Sequence, residues 1–202
     1  MDADQLQPIH RLGKDGQDDA RRAHGGEGVV GGDFGQDDYR GTDGGLQHVL
    51  ADGSVDAAFD AGTDGLVSAV ALVGDTLYVG GLFDHVNGSA RTNLAAVSAV
   101  DGHLLPFHAD QSRRVSELTA GGGRLYVGSD HVEALELATG APVAGFTSPV
   151  DGRVTALALG GGRLYVGSTR LVAADPATGA RDEGFDVDLD GPEGRRVHVL
   201  LY

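Results

Sequence analysis

The sequence predicts an all-β fold of about three and a half repeated units, each a small four-stranded antiparallel sheet. Three recurring markers carry that prediction. Leu77-Tyr78-Val79-Gly80 returns as Leu125-Tyr126-Val127-Gly128 and as Leu164-Tyr165-Val166-Gly167, at spacings of 48 and 39. Phe59, Phe107, Phe146 and Phe185 step by 48, 39 and 39, and Gly53, Gly102, Gly140 and Gly179 step by 49, 38 and 39. Three independent series that keep one order and nearly one period mark a repeat architecture.

Within a unit, the first strand is an apolar run: Val154 to Leu159, matched by Val67 to Val73 and Val115 to Ala120. A glycine-bearing turn follows, Gly160-Gly161-Gly162, Gly121-Gly122-Gly123 or Gly74-Asp75. The Leu-Tyr-Val-Gly block is the second strand. The third is Leu171 to Asp175, matched by Leu94 to Ala99 and Val132 to Leu137, and it closes on Thr178-Gly179, Thr139-Gly140 or Asp101-Gly102. Such dipeptides suit tight hairpins. A short fourth strand carries the phenylalanine. The alanine-rich third strand of the second unit could be taken for helix, but no segment between glycines is long enough for a stable one. First strands apolar on both faces fit small sheets sandwiched between neighbours. Four strands per 40 to 50 residues predict a β-propeller.

Composition agrees. The 202 residues contain 34 glycines, six prolines and no G-X-Y period, which excludes collagen and fits many short strands joined by tight turns. Thirty acids against 15 bases give a formal charge of −15. That surface repels phosphate backbones and anionic lipid, so nucleic acid is excluded as a partner, while cations remain plausible ligands. Without cysteine there is neither a disulfide nor a thiolate metal site. No apolar run is long enough for membrane insertion, and no signal peptide is visible at the N-terminus.

Leu77-Tyr78-Val79-Gly80-Gly81-Leu82-Phe83, followed by Val86-Asn87-Gly88 and Asn93-Leu94-Ala95, resembles the bacterial delta-60 type propeller repeat. Ala51-Asp52-Gly53-Ser54-Val55-Asp56, with Phe59 closing the unit, resembles it too. The likeness covers roughly residues 29 to 202. It implies a secreted or cell-surface propeller, often part of a larger protein, and no particular reaction. Later units depart from the pattern: Ser129 and Ser168 replace the second glycine, and the Phe to Asn-Gly loop is missing. WD-repeat and quinoprotein propellers fit less well, because the chain has no tryptophan.

The units are expected at about 29–63, 64–111, 112–150 and 151–194, with a partial one at 195–202. Residues 1–28 are polar and aperiodic and read as disordered. The first unit opens at Val29-Val30-Gly31-Gly32-Asp33-Phe34, aligned with Tyr78 to Phe83, and so lacks its own first strand. Val197 to Tyr202 looks like a first strand with nothing behind it. Either the chain is a fragment of a larger propeller, or this last strand completes the first blade of a four-bladed ring.

Candidate chemistry is sparse. Asp186-Val187-Asp188-Leu189-Asp190-Gly191 matches the opening of a calcium loop, in which alternate Asp186, Asp188 and Asp190 would share one ion. The twelfth position, however, is Val197 rather than a bidentate glutamate, so a solvated acidic turn explains the run as well. Two insertions between second and third strands, Gly32 to Gly45 and Gly81 to Asn93, should lie side by side on one face of the ring. They carry Phe34, Asp37, Asp38, Tyr39 and Arg40 beside Phe83, Asp84, His85, Asn87, Arg91 and Asn93. Aromatic, acidic and arginine side chains in loops suit a glycan or protein ligand. Asn87-Gly88 is equally explained as turn chemistry, and Phe34 and Phe83 either pack beneath the loops or face a ligand.

Histidines show no ligand spacing: His103 and His108 flank a turn, and His198 lies in an apolar strand. Ser129-Asp130-His131 has triad residue types, but neighbours along a strand point to opposite faces. Two functions follow as expectations. One is a non-enzymatic binding or interaction scaffold. The alternative is a hydrolase or lyase using channel carboxylates such as Asp64, Asp151 and Glu117, with or without a metal ion.

Overall fold

A computed structural model describes residues 28–30, 38–42 and 45–188. It contains four successive antiparallel sheets, and no helix among the described residues. The first holds β1 (Gly28–Val30), β2 (Asp38–Thr42) and β3 (Gly45–Val49). The second is built from β4 (Leu66–Val73), β5 (Thr76–Leu82) and β8 (Leu94–Ser98), with a separate small hairpin of β6 (His85–Val86) and β7 (Ser89–Ala90). The third has β9 (Glu117–Gly121), β10 (Arg124–Gly128) and β11 (Val132–Glu136). The fourth has β12 (Ala156–Gly160), β13 (Arg163–Gly167), β14 (Arg170–Ala174) and β15 (Arg181–Asp188), in that order.

Period-two alternation in the Leu-Tyr-Val block dictates how the sheets stack. Leu77 and Val79 join a core with Leu46, Phe59 and Val67 on the side of the first unit. Tyr78 points the other way, into a core with Val115, Leu125, Val127 and Leu135 of the third. One unit later, Tyr126 packs with Val154, Leu164, Val166 and Val172 of the fourth. β5 and β10 therefore each present an aliphatic face backward and a tyrosine forward. The first strands β4, β9 and β12 pack in series, which makes them the innermost strands of successive blades. Leu77, Leu125 and Leu164 are fully buried, each contributing about 2 kcal/mol of transfer free energy.

The aromatic marker is explained by packing within each blade. Tyr78 meets Phe107 edge-on at 5.2 Å between ring centroids, Tyr126 meets Phe146 at 5.9 Å, and Tyr165 meets Phe185 edge-on at 5.5 Å. In the first unit Val29 aligns with the tyrosines, and His48 instead meets Phe59, at 5.6 Å. The turn glycines Gly53, Gly102, Gly140 and Gly179 all have φ between 74° and 83°, which an L side chain rarely adopts.

Two features differ from the sequence reading. The fourth strand is complete only in the last unit. In the second and third it shrinks to the bridges Val97 with Leu104 and Leu135 with Pro142. Pro106 and Pro142 lack the N–H that a ladder needs, whereas Arg181–Asp188 contains no proline. The Gly32 to Gly45 segment, read as a loop, supplies β2, which pairs with both β1 and β3. Thr42 pairs with Gly45, and Asp43 and Gly44 between them lie outside the described residues.

No sheet among the described residues joins the first and last units. Residues 1–27 and the strand expected at 197–202 lie outside the described residues. Gly28, expected in the N-terminal tail, belongs to β1.

Candidate functional site

Antiparallel pairing determines which connections share a face. Leu66 pairs with Leu82, Glu117 with Gly128, and Ala156 with Gly167. The segments entering the innermost strands therefore lie at the same end as the connections leaving the second strands.

On that face, the loop from Phe83 to Asn93 is firmly anchored. Phe83 and Val86 are buried in the core shared with the first unit. The Asn93 N–H donates to the Phe83 carbonyl (3.0 Å), its Oδ1 accepts from the Phe83 N–H (3.2 Å), and its Nδ2 donates to the Gln111 carbonyl (2.8 Å). Asn87 (φ 50°) and Gly88 (φ 70°) turn the β6–β7 hairpin, as left-handed dipeptides do. Asn87 Nδ2 also donates to the Gly102 carbonyl at 3.0 Å.

Asp64 holds the base of the loop. Its carboxylate accepts the backbone N–H groups of Asp84 and His85, both at 2.9 Å, and stands 2.7 Å from His85 Nδ1. The His85 and Asp84 amides, helped by the imidazole, hold this carboxyl down at about 2. Arg91 directs Nε to the Phe107 carbonyl and Nη1 to that of Ala90. The loop thus presents Asp84 and His85 beside Leu82, which is 55% exposed, and Asp64, Leu82, Phe83 and Asp84 line a shallow depression there.

The expected ligand residues are therefore divided. Phe83 forms the floor, Asn87 the turn, and Arg91 ties the loop down. Asp84 and His85 face solvent. Asp38, Tyr39 and Arg40 lie in β2, paired with Val49, His48 and Gln47, so this stretch is part of a sheet rather than a loop beside Phe83–Asn93. Phe34 lies outside the described residues.

The third unit has a polar cluster at the same end. His131 Nδ1 is 2.7 Å from Asp130 and Nε2 is 2.9 Å from Glu133, while Gln111 Nε2 donates to Glu133 at 3.3 Å and Arg113 pairs with Asp130 at 3.4 Å. Burial opposes charge on His131, but the hydrogen bonds to both carboxylates prevail and raise its pKa above the ordinary histidine value. Ser129, Asp130 and His131 do meet, because they form the β10–β11 turn rather than a strand. Ser129 Oγ and His131 nevertheless share one Asp130 oxygen (3.2 and 2.7 Å). A triad needs the imidazole between hydroxyl and carboxylate, so this order does not activate the serine.

The carboxylates proposed for a channel differ in state. Asp64 is committed to the loop, and Asp151 is exposed. Glu117, half-buried on innermost β9, is pushed up to about 8 by burial, against the pull of Arg153. Asp186 and Asp188 belong to β15, paired with Val172 and Arg170, so the start of the expected calcium loop is a strand; Asp190 lies outside the described residues. No group of three or more His, Asp or Glu that could hold a metal occurs among the described residues. His103 and His108 each pair with a nearby aspartate, Asp101 at 2.6 Å and Asp110 at 3.2 Å. Sequence reasoning missed Leu82, Gln111 and Glu133. Leu82 ends an apolar strand with nothing in its neighbours to mark it as exposed, the contact of Gln111 with Glu133 arises only when units stack, and that of Glu133 with His131 only once the β10–β11 turn forms.

Solved structures share this arrangement. The computationally designed Ika8 protein matches at TM-score 0.65 and 18% identity, over 86% of this chain and 51% of its own. The β-propeller domain of Cps50 (Swd1) from Myceliophteria thermophila matches at 0.58 and 13%, over 79% and 55%. BamB from Moraxella catarrhalis matches at 0.56 and 16%, over 79% and 47%. The fold is a β-propeller. The chain spans about half the length of these propellers. No family model matches it, and no curated protein does. No helix among the described residues is long and apolar enough to cross a membrane.

Proposed function

We propose that this chain is a non-enzymatic propeller scaffold of the delta-60 repeat type that engages a protein or glycan ligand through the loop face of its second unit. The observation that carries this reading is the anchoring of Phe83–Asn93. Asn93, Asn87 and Asp64 order the backbone before any ligand arrives, and Leu82 stands exposed beside Asp84. A preordered surface with one apolar anchor and flanking polar groups loses little entropy on binding. The hydrolase or lyase alternative draws less support, because Asp64 is already committed to loop amides and Asp151 is exposed at the surface.

The test is a glycan array and an immobilised random-peptide library, each probed with the wild-type chain and with Leu82→Ser and His85→Ala variants. The expected result is a ligand set that both variants lose while their melting curves stay unchanged. Ligands retained by both variants would move the binding surface elsewhere.

A further inference from the structure

The innermost strands carry one departure from their own repeat. Ala69 on β4 faces Gly80, Glu117 on β9 faces Gly128, and Ala156 on β12 faces Gly167. Of these three equivalent positions, two hold a buried alanine and one a carboxyl. Alanine satisfies the packing twice, so the blade itself requires no acid at 117. The acid also opposes folding at neutral pH, because burial pushes Glu117 up to about 8. A residue that breaks the local pattern at a cost to stability marks a functional position.

The carboxyl belongs to the seam between the third and fourth blades. A methyl carbon placed on Gly128 would stand 3.1 Å from Glu117 Cβ and 2.7 Å from Val154 Cγ1, so Glu117 leaves its strand on the side of the segment entering the fourth blade. Arg153, exposed, immediately precedes Val154 there. Of the charged groups among the described residues, Arg153 alone acts on Glu117, and the cross-strand neighbour on β10 is Gly128. Yet among the described residues neither side chain makes a hydrogen bond, and the two do not close an ion pair.

The preceding seam shows what such an arginine otherwise does. Arg114, the equivalent of Arg153, donates Nε and Nη2 to Ser68 Oγ at 3.1 and 2.9 Å. Ser116 is the equivalent of Ser68, but its hydroxyl turns to the carbonyls of Gly128 (3.1 Å) and Val154 (2.9 Å). Arg153 thus keeps its donors unused. Thr63 Oγ1 is the one enclosed side-chain polar atom without a hydrogen bond among the described residues, so the unpartnered Glu117 oxygens still meet solvent.

We propose that the seam between the third and fourth blades is a subsite for a ligand carboxylate, held by the Arg153 guanidinium on one side and the Glu117 carboxyl on the other. Glu117 in its neutral form donates its O–H to one ligand oxygen, and Arg153 donates to the other. A cation is disfavoured, since it would stand beside the guanidinium. The subsite belongs to a different pair of blades from the Leu82 loop, and its failure leaves the reading of that loop untouched.

NMR titration of the full chain with N-acetylglycine and with glucuronate, at constant ionic strength, tests the proposal. The two probes distinguish a peptide C-terminus from an acidic sugar as the source of the carboxylate. At least one should give saturable shifts of the Val154 methyl signals. Wild-type affinity should then fall about tenfold for each pH unit above 8, as Glu117 gives up its proton. Glu117→Gln keeps a donor that does not titrate, so binding persists and its pH dependence disappears. Arg153→Gln, a change at an exposed position, should abolish binding with the melting curve unchanged. No saturable shift from either probe, binding that survives Arg153→Gln, or a wild-type affinity that does not change with pH would each overturn the proposal.

Discussion

Tyr78 donates its hydroxyl proton to the carbonyl of Leu137, 2.7 Å away in the following blade. Tyr126 repeats the bond one unit later, to the Pro176 carbonyl at 2.6 Å. Each acceptor lies three residues before a turn glycine, Gly140 or Gly179. The tyrosine of the repeat thus does two things, packing against its own blade's phenylalanine and tying that blade to the next.

Replacing Tyr126 by Phe keeps the ring packing and removes only this tie. The unfolding free energy should fall by about 1 kcal/mol, the usual net value of one hydrogen bond, with Arg124 Nη1 still donating to the Pro176 carbonyl at 2.9 Å. Urea denaturation of Tyr126→Phe against wild type, with the slope unchanged, measures it. No loss of stability would mean that the hydroxyl is not a structural link.

Gly128→Ala should cost about 1–3 kcal/mol, because its new methyl meets Val154 Cγ1 at 2.7 Å. Trimming Val154 to Ala in the same chain should recover part of that loss. The double-mutant cycle then shows a coupling on the order of 1 kcal/mol, whereas strict additivity would separate the two residues.

Glu117 sets a pH dependence. Its carboxyl titrates near 8 in the folded chain and near 4.5 when unfolded, so between those values the folded state holds the extra proton. Stability is therefore lost as pH rises from 4.5 towards 8. Glu117→Gln should raise stability at pH 7 by on the order of 1–3 kcal/mol, with the gain vanishing below about pH 4.5. Melting curves of both proteins at pH 4 and pH 7 check the sign.

Asp64 behaves in the opposite way. Its folded-state carboxyl titrates at about 2, so its contribution is present above the ordinary aspartate value and fades as pH falls towards 2. Carbon-detected NMR titration of the side-chain carboxyl should give a midpoint well below 3.8. In Asp64→Asn the Asp84 and His85 amides should exchange with solvent faster than in wild type.

Much of the fold was legible because the repeat encodes backbone necessities. Gly53, Gly102, Gly140 and Gly179 sit at positive φ, and the alternation of Leu77, Tyr78 and Val79 has only one way to face two neighbours. β2 was missed although Asp43-Gly44 stood in the sequence as a hairpin signal, because alignment with Gly81–Asn93 made the whole segment look like a loop. At the candidate site, the turn role of Asn87-Gly88 was legible from the dipeptide alone. The bond from Asn93 to Gln111 and the His131 pairing with Asp130 and Glu133 were not, since the first spans two units and the second arises only once a turn brings the residues together.

The stacking of equivalent blades is tested most directly by nuclear Overhauser contacts at Gly80 and Gly128, where the valines of the following units, Val115 and Val154, approach most closely. The predicted result is a pair of cross-peaks, from the Val115 methyls to the Gly80 α-protons and from the Val154 methyls to those of Gly128. Their absence in a well-folded spectrum, with the glycine α-protons contacting only their own strand neighbours, would contradict the propeller arrangement.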